Sequence, residues 1–190
     1  MSKIFFTSDH HFGHANIIKF SNRPFTHVEE MNEVLIEKWN KKVGKKDQVY
    51  HLGDIGLTNP KNLEKILEKL NGRIYLIKGN HEKSGEACKE RFEWIKDYYE
   101  LTVQDTDFER GKQLLVLFHY GLRVWNASHH GTYHLYGHSH GTLPDNPNSL
   151  SLDIGVDCHN FCPLSYDEVK VIMKTKKWKP PFKTRKNNVI

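Results

Sequence analysis

Val49-Tyr50-His51-Leu52-Gly53-Asp54, then Asn59-Pro60, then Ile74-Tyr75-Leu76-Ile77-Lys78-Gly79-Asn80-His81: this stretch decides the fold. Its two short runs, 49–52 and 74–77, are too apolar for half-exposed strands and read as strands buried on both faces. Between them lies a helix punctuated at both ends. Asn59 is placed as its N-cap and Pro60 at its first position, where the missing N–H has no partner to lose. Leu63, Ile66, Leu67 and Leu70 face inward, and Gly72 stands just past the end. Each strand then closes on a glycine followed by a polar side chain able to bind a metal.

The same grammar extends outward. Residues 4–7, 114–118, 134–136 and 150–156 read as further strands, and Val28, Met31, Leu35, Trp39 and Val43 mark one face of an amphipathic helix that packs on a core. A helix is predicted over 86–98, and Ser165 with Glu168 forms a capping box for one running to about Lys174. Residues 101–119, with Arg110-Gly111-Lys112 at the middle, read as a β-hairpin. Strand–helix alternation thus gives way to antiparallel strands. The order predicts an α/β sandwich with mixed sheets in the middle and helices outside, as a single domain over 1–175 followed by a basic tail, 176–190.

A chain of 190 residues buries a proper core. Its formal charge of +5 favours an anionic substrate or partner, although much of the excess sits in the tail. No secretion signal or membrane span is read, and the odd set Cys88, Cys158 and Cys162 fits reduced thiols in the cytoplasm. Cys158 and Cys162 flank His159 at a zinc-like spacing, but no second cysteine pair completes a structural site, so buried or incidental thiols are the preferred reading.

Function is carried by five signatures in one order: Asp9-His10-His11, Gly53-Asp54, Gly79-Asn80-His81, His119 and Gly137-His138-Ser139-His140. They lie at the carboxyl ends of strands, where open α/β sheets gather ligands. Asp9 and His11 share a face if strand geometry persists past the first strand, which leaves His10 pointing the opposite way. Asp54 has two carboxylate oxygens and so suits a bridge between two ions. His138 and His140 repeat the alternate spacing, so that two ions could share them, and Asn80 and His119 complete the second sphere. A phosphate ester resists attack through its own negative charge. Two cations neutralise that charge and lower the pKa of a bound water enough to supply hydroxide. His81 is free of the ligand count and is read as stabilising the transition state. His14 either faces the substrate or caps the segment after His11. Arg23 either clamps a phosphate in a bidentate grip or forms a surface salt bridge. His129, His130 and His134 are assigned to a solvated loop and strand edge.

The chain resembles the calcineurin-like metallophosphoesterases, whose motifs run D-x-H, G-D, G-N-H-[DE], H and G-H-x-H; here these are Asp9–His11, Gly53–Asp54, Gly79–Glu82, His119 and Gly137–His140. Its opening segment is also similar to a small bacterial and phage branch. The resemblance implies a four-layer αββα sandwich, with one metal on Asp9, His11, Asp54 and His140 and another on Asp54, Asn80, His119 and His138. It implies His81 as the catalytic histidine and two divalent ions, manganese before iron, zinc or nickel. Many relatives carry a further acidic residue just after the Gly-Asp pair, where this chain has Ile55-Gly56-Leu57. The expected activity is hydrolysis of a phosphate mono- or diester, from a nucleotide, nucleic acid or small metabolite, by metal-bound hydroxide. The alternatives are a non-catalytic, metal-stabilised binding module and a nuclease that grips nucleic acid through the tail. In that tail, Lys176, Lys177, Lys179, Lys183, Arg185 and Lys186 are interleaved with Trp178 and Phe182. The plainer reading is that these aromatics pack on the domain.

Overall fold

The strands of the first half divide their side chains between two cores. A computed structural model, which describes residues 2–182, sets β1 (Ile4–Thr7), β2 (Gln48–His51), β3 (Arg73–Ile77) and β4 (Phe92–Lys96) in parallel. A short antiparallel strand, Leu164–Ser165, flanks the other side of β1. Phe5, Val49, Ile74 and Leu76 enter one core while Phe6, Tyr50 and Ile77 enter the other, as the two-residue period of a strand dictates. Burial on both faces accounts for the nearly continuous apolar runs.

Helices α1 (Ala15–Phe20), α2 (Val28–Lys42) and α3 (Pro60–Leu67) supply the first core with Ile17, Met31, Leu35, Trp39, Leu63 and Leu67. In α2, Glu29 and Glu30 occupy the first turn and Lys41 and Lys42 the last, each complementing the helix dipole. Asn59 caps α3 as expected, accepting from the Asn62 N–H at 2.9 Å. The fully buried Trp39 donates its Nε1–H to the Asn71 carbonyl at 2.9 Å, so no polar atom of that ring is stranded.

The second sheet holds β5 (Tyr98–Gln104), β6 (Lys112–Phe118), β7 (Tyr133–Tyr136) and β8 (Ser151–Asp153) in that spatial order. β5 and β6 are the antiparallel hairpin read from the sequence, and β6, β7 and β8 run parallel. The two sheets face each other across the second core, which α5 (Tyr166–Thr175) joins through Tyr166, Val169 and Met173. The capping box of α5 is formed by Ser165 and Glu168. The architecture is therefore the expected α/β sandwich of two mixed sheets flanked by helices. Among the described residues no helix is long and apolar enough to cross a membrane.

Three expectations are corrected. The helix predicted over 86–98 is only a short α4 (Lys83–Ala87); Phe92–Lys96 instead pairs with β3. Trp94 there lies 5.3 Å from the Tyr75 ring and 4.8 Å from that of Tyr99, so aromatic packing between the sheets overrides helical periodicity. The strand over 150–156 is confined to Ser151–Asp153, followed by a 3₁₀ turn at Val156–Cys158. His134 is neither loop nor edge: it is fully buried on the interior strand β7, with Nδ1 and Nε2 each 3.1 Å from a main-chain carbonyl, of Val116 and Tyr120.

Past Thr175 the chain lies along the 146–149 loop. The Lys177 and Lys179 N–H groups donate to the carbonyls of Pro147 and Asn148 at 2.7 and 3.0 Å, Trp178 packs against the second core, and the Phe182 ring is 4.7 Å from that of His129. The tail reading beyond Phe182 falls outside the described residues. Ending the chain at Thr175 is expected to remove about 2 kcal/mol of apolar burial, lowering Tm by roughly 4–8 °C. Thermal melting of the truncated chain checks this, and an unchanged Tm would contradict it.

Candidate metal centre

Three of the five signatures are aimed by left-handed residues just after their strands, β1, β2 and β7. Asp9, His11, Asp54, His138 and His140 have φ of 59°, 52°, 55°, 68° and 46°. Strand geometry does not persist past Thr7, and these turns, not a shared strand face, direct the side chains inward. Asp and His tolerate this region better than most residues, yet each such position still costs about 1 kcal/mol or more, a strain that concentrates at functional sites. Glycines let the loops close. A Cβ on Gly79 would overlap the Asp54 carboxylate, and one on Gly137 would overlap Ser8 and the Asp9 carboxylate.

Asp9, His11 and His140 each offer a donor atom within 4.8 Å of the others, and so do Asp9, Asp54 and His119. Asp54 Oδ2 lies between the halves, 3.6 Å from His11 Nε2 and 3.8 Å from His119 Nε2. Asn80 Oδ1 is 3.0 Å from His119 Nε2. His138 stands at the rim, its ring 5.1 Å from that of His119 and its main-chain N–H donating to Asp9 Oδ2 at 2.9 Å. Asp9 Oδ1 and both ring nitrogens of His11 are buried without a hydrogen-bond partner. Such orphans are costly in an interior unless a cation takes their lone pairs. The donor set therefore fits metal ions.

Electrostatics point the same way. Burial pushes the Asp9 carboxyl up to about 7 and pushes His11 down to about 2, the latter reinforced by His140 and Arg23. Burial also lowers His119, whose Nδ1–H donates to the Leu52 carbonyl at 2.6 Å and leaves Nε2 facing the centre. Burial would lower His140 too, but its hydrogen bond with Asp157 and the charges of Asp9 and Asp157 raise it above the ordinary value.

His81 is exposed at the mouth, its ring 6.0 Å from that of His11 and its main-chain N–H held by Asp54 Oδ1 at 2.8 Å. His14, half-buried at the start of α1, has its ring 5.5 Å from that of His11 and makes no side-chain cap. His10 points away, with Nδ1 2.9 Å from His51 Nε2 in the first core.

Arg23 takes neither of its expected roles. It is buried, and every guanidinium N–H is spent: Nε and Nη2 on the two oxygens of Asp157, Nη2 also on the Asp9 carbonyl, and Nη1 on the His10 carbonyl and Met31 Sδ. None is left for a phosphate.

Two anchors escaped sequence reasoning. Glu82, buried and pushed up to about 7 by that burial, accepts from the N–H groups of Asp54, Gly79 and Ile55 and so fastens two signature loops together. Its signal was the acidic fourth position of Gly79–Glu82. Asp153 accepts from Ser139 Oγ and the Gly141 N–H, holding the last signature. No local signal marks it.

Residues 3–151 match the family described as the calcineurin-like phosphoesterase superfamily domain. The uncharacterized protein MJ1445 of Methanocaldococcus jannaschii is 39% identical over 184 residues, covering 93% of this chain and 94% of that protein. The gene 66 protein of Mycobacterium phage D29 is 28% identical over 194 residues, covering 90% of this chain and 95% of that protein. In fold the chain is similar to the crystal structure of AQ665, a protein of unknown function from Aquifex aeolicus, with a TM-score of 0.66, 23% identity, and 90% of this chain and 100% of that chain covered. On this match and coverage, the chain belongs to the calcineurin-like phosphoesterase superfamily, a metal-dependent family of phosphoester hydrolases.

Proposed function

We propose that the protein hydrolyses a phosphate mono- or diester at a two-metal centre. The observation that carries this is Asp54 Oδ2, poised between His11 and His119 at 3.6 and 3.8 Å, where one carboxylate reaches two positions. Asp9, His11, Asp54 and His140 would hold one ion, and Asp54, Asn80, His119 and His138 the other. Mixed carboxylate, amide and imidazole donors accept manganese, iron, zinc or nickel, and the family resemblance makes manganese the first choice. When bound, such ions neutralise phosphate charge and make an attacking hydroxide available near neutral pH. His81, at the mouth, donates a hydrogen bond to the leaving oxygen or to a phosphoryl oxygen that gains charge in the transition state. His14 lies on the same rim and contacts substrate. A purely structural metal site would be closed to water, whereas His81, Asn80 and His138 are exposed. The three free cysteines fit a reducing cytoplasm. Packing of Trp178 against the second core favours a small ester over a nucleic acid held by the tail. A manganese-supplemented screen of monoester, diester and nucleotide substrates tests the reading. Turnover of at least one class is expected, and none with any class would refute it.

The protonation of the site makes a second expectation. Asp9 must be ionised to bind a cation, and with its carboxyl near 7 in the metal-free protein its ionised fraction falls about tenfold between pH 8 and pH 6. His140, also raised, adds a competing proton in acid. His11, held near 2, adds none. Manganese affinity is therefore expected to drop about tenfold or more from pH 8 to pH 6, with protons released on binding at pH 6. Calorimetry in two buffers of different ionisation heat measures both, and a pH-independent affinity would contradict the assignment.

A further inference from the structure

The Arg23–Asp157 pair has an unusual third partner. Asp157 lies in the 3₁₀ turn after β8, a turn registered on the end of β1 by the Val156 N–H donating to the Ser8 carbonyl at 3.1 Å. One oxygen of Asp157 takes Arg23 Nε, and the other takes both Arg23 Nη2 and His140 Nδ1, all at 2.7–2.8 Å. The side chains of Arg23 and Asp157 are 0% and 8% exposed.

An ionised carboxylate only accepts hydrogen bonds, so the proton of neutral His140 must sit on Nδ1 and its lone pair on Nε2. The donor atom thus placed is the one left to meet Asp9 and His11. The carboxylate cannot swing away, because the guanidinium fork fixes both of its oxygens. The remaining arms of Arg23 grip the carbonyls of Asp9 and His10 at 2.7 and 2.8 Å. One buried pair, its two members 134 residues apart in sequence, therefore holds both the first and the last signature. A pair serving the fold alone would be satisfied by Arg23 and would need no bond to a ligand ring.

We propose that Asp157, braced by Arg23, is the positioning residue of the Asp9–His11–His140 half of the centre, fixing the tautomer and ring direction of His140 and so setting the affinity of that half for its ion. This rests on the metal reading above. Carboxylates behind ligating histidines change metal affinity by about 10–100-fold when removed. The test is manganese titration of metal-free wild type, Asp157→Ala and Asp157→Asn, with melting curves on the same samples. Asp157→Ala is expected to weaken one ion by about 10–100-fold and leave the other within about threefold. Asp157→Asn, which keeps one oxygen for Nδ1–H, is expected to recover part of that loss. Should the alanine variant fail to fold, a loss at one ion only in the asparagine variant carries the inference. Wild-type affinity for both ions in the folded variants, or equal weakening of both, overturns it while leaving the two-metal reading intact. A wild type that binds no manganese overturns both.

Discussion

Asp54→Asn is expected to reduce manganese binding at both positions together and to lower turnover about a thousandfold or more. Asparagine is the informative replacement. Asp54 sits at φ 55°, a conformation asparagine tolerates and alanine does not, and the amide oxygen still accepts the His81 N–H now held at 2.8 Å. Loop geometry is therefore kept while the negative charge between His11 and His119 is lost. The group then facing His11 and His119 in place of Oδ2 is the amide NH2, which has no lone pair to offer a cation and cannot bridge two. Ions that jointly supply several kcal/mol of charge stabilisation are worth about a thousandfold or more in rate when they leave, at 1.36 kcal/mol per factor of ten. Elemental analysis alongside kinetics checks this. Two ions firmly retained by the folded variant would remove Asp54 from the bridging position.

His81→Ala tests the chemistry apart from the metals. His81 is exposed and only its main chain is anchored to Asp54, so the substitution is expected to change stability by no more than about 0.5 kcal/mol and to leave metal content unchanged. Turnover of an ester with a poor leaving group is expected to fall about a hundredfold or more, with a smaller change in KM. An ester of nitrophenol needs little help in departure and should lose less. Wild-type turnover on an unactivated ester would show that His81 takes no part.

Residues whose signals are local were legible in the sequence. The cap at Asn59, the capping box of Ser165 and Glu168, the stripe on α2 and the hairpin of β5 and β6 all follow from spacing within a few residues. The signatures at strand ends were legible for the same reason. Their assembly was only half legible. Strand periodicity put Asp9 and His11 on one face, whereas left-handed turns at φ 59° and 52° aim them. Those turns are held from elsewhere in the chain, by Arg23 on the Asp9 and His10 carbonyls and by the Gly53 and Asp54 carbonyls that take the Asp9 and His11 N–H groups. The strand Phe92–Lys96 and the interior place of His134 depend on which sheet lies opposite, information that no short window holds. Arg23, ahead of Pro24, reads as a phosphate clamp or a surface salt bridge, but its partner Asp157 is 134 residues away. Only the fold shows that its charge is spent inside the protein.

The proposed role of Asp54 is to hold two cations that together make this chain a phosphoesterase. Its most direct test is the turnover of a responsive phosphate ester measured while manganese is added stepwise to the metal-free protein at micromolar concentration. Activity is expected to rise to a break at about two equivalents, and a break at one equivalent, or hydrolysis undiminished in the metal-free protein, would contradict the account.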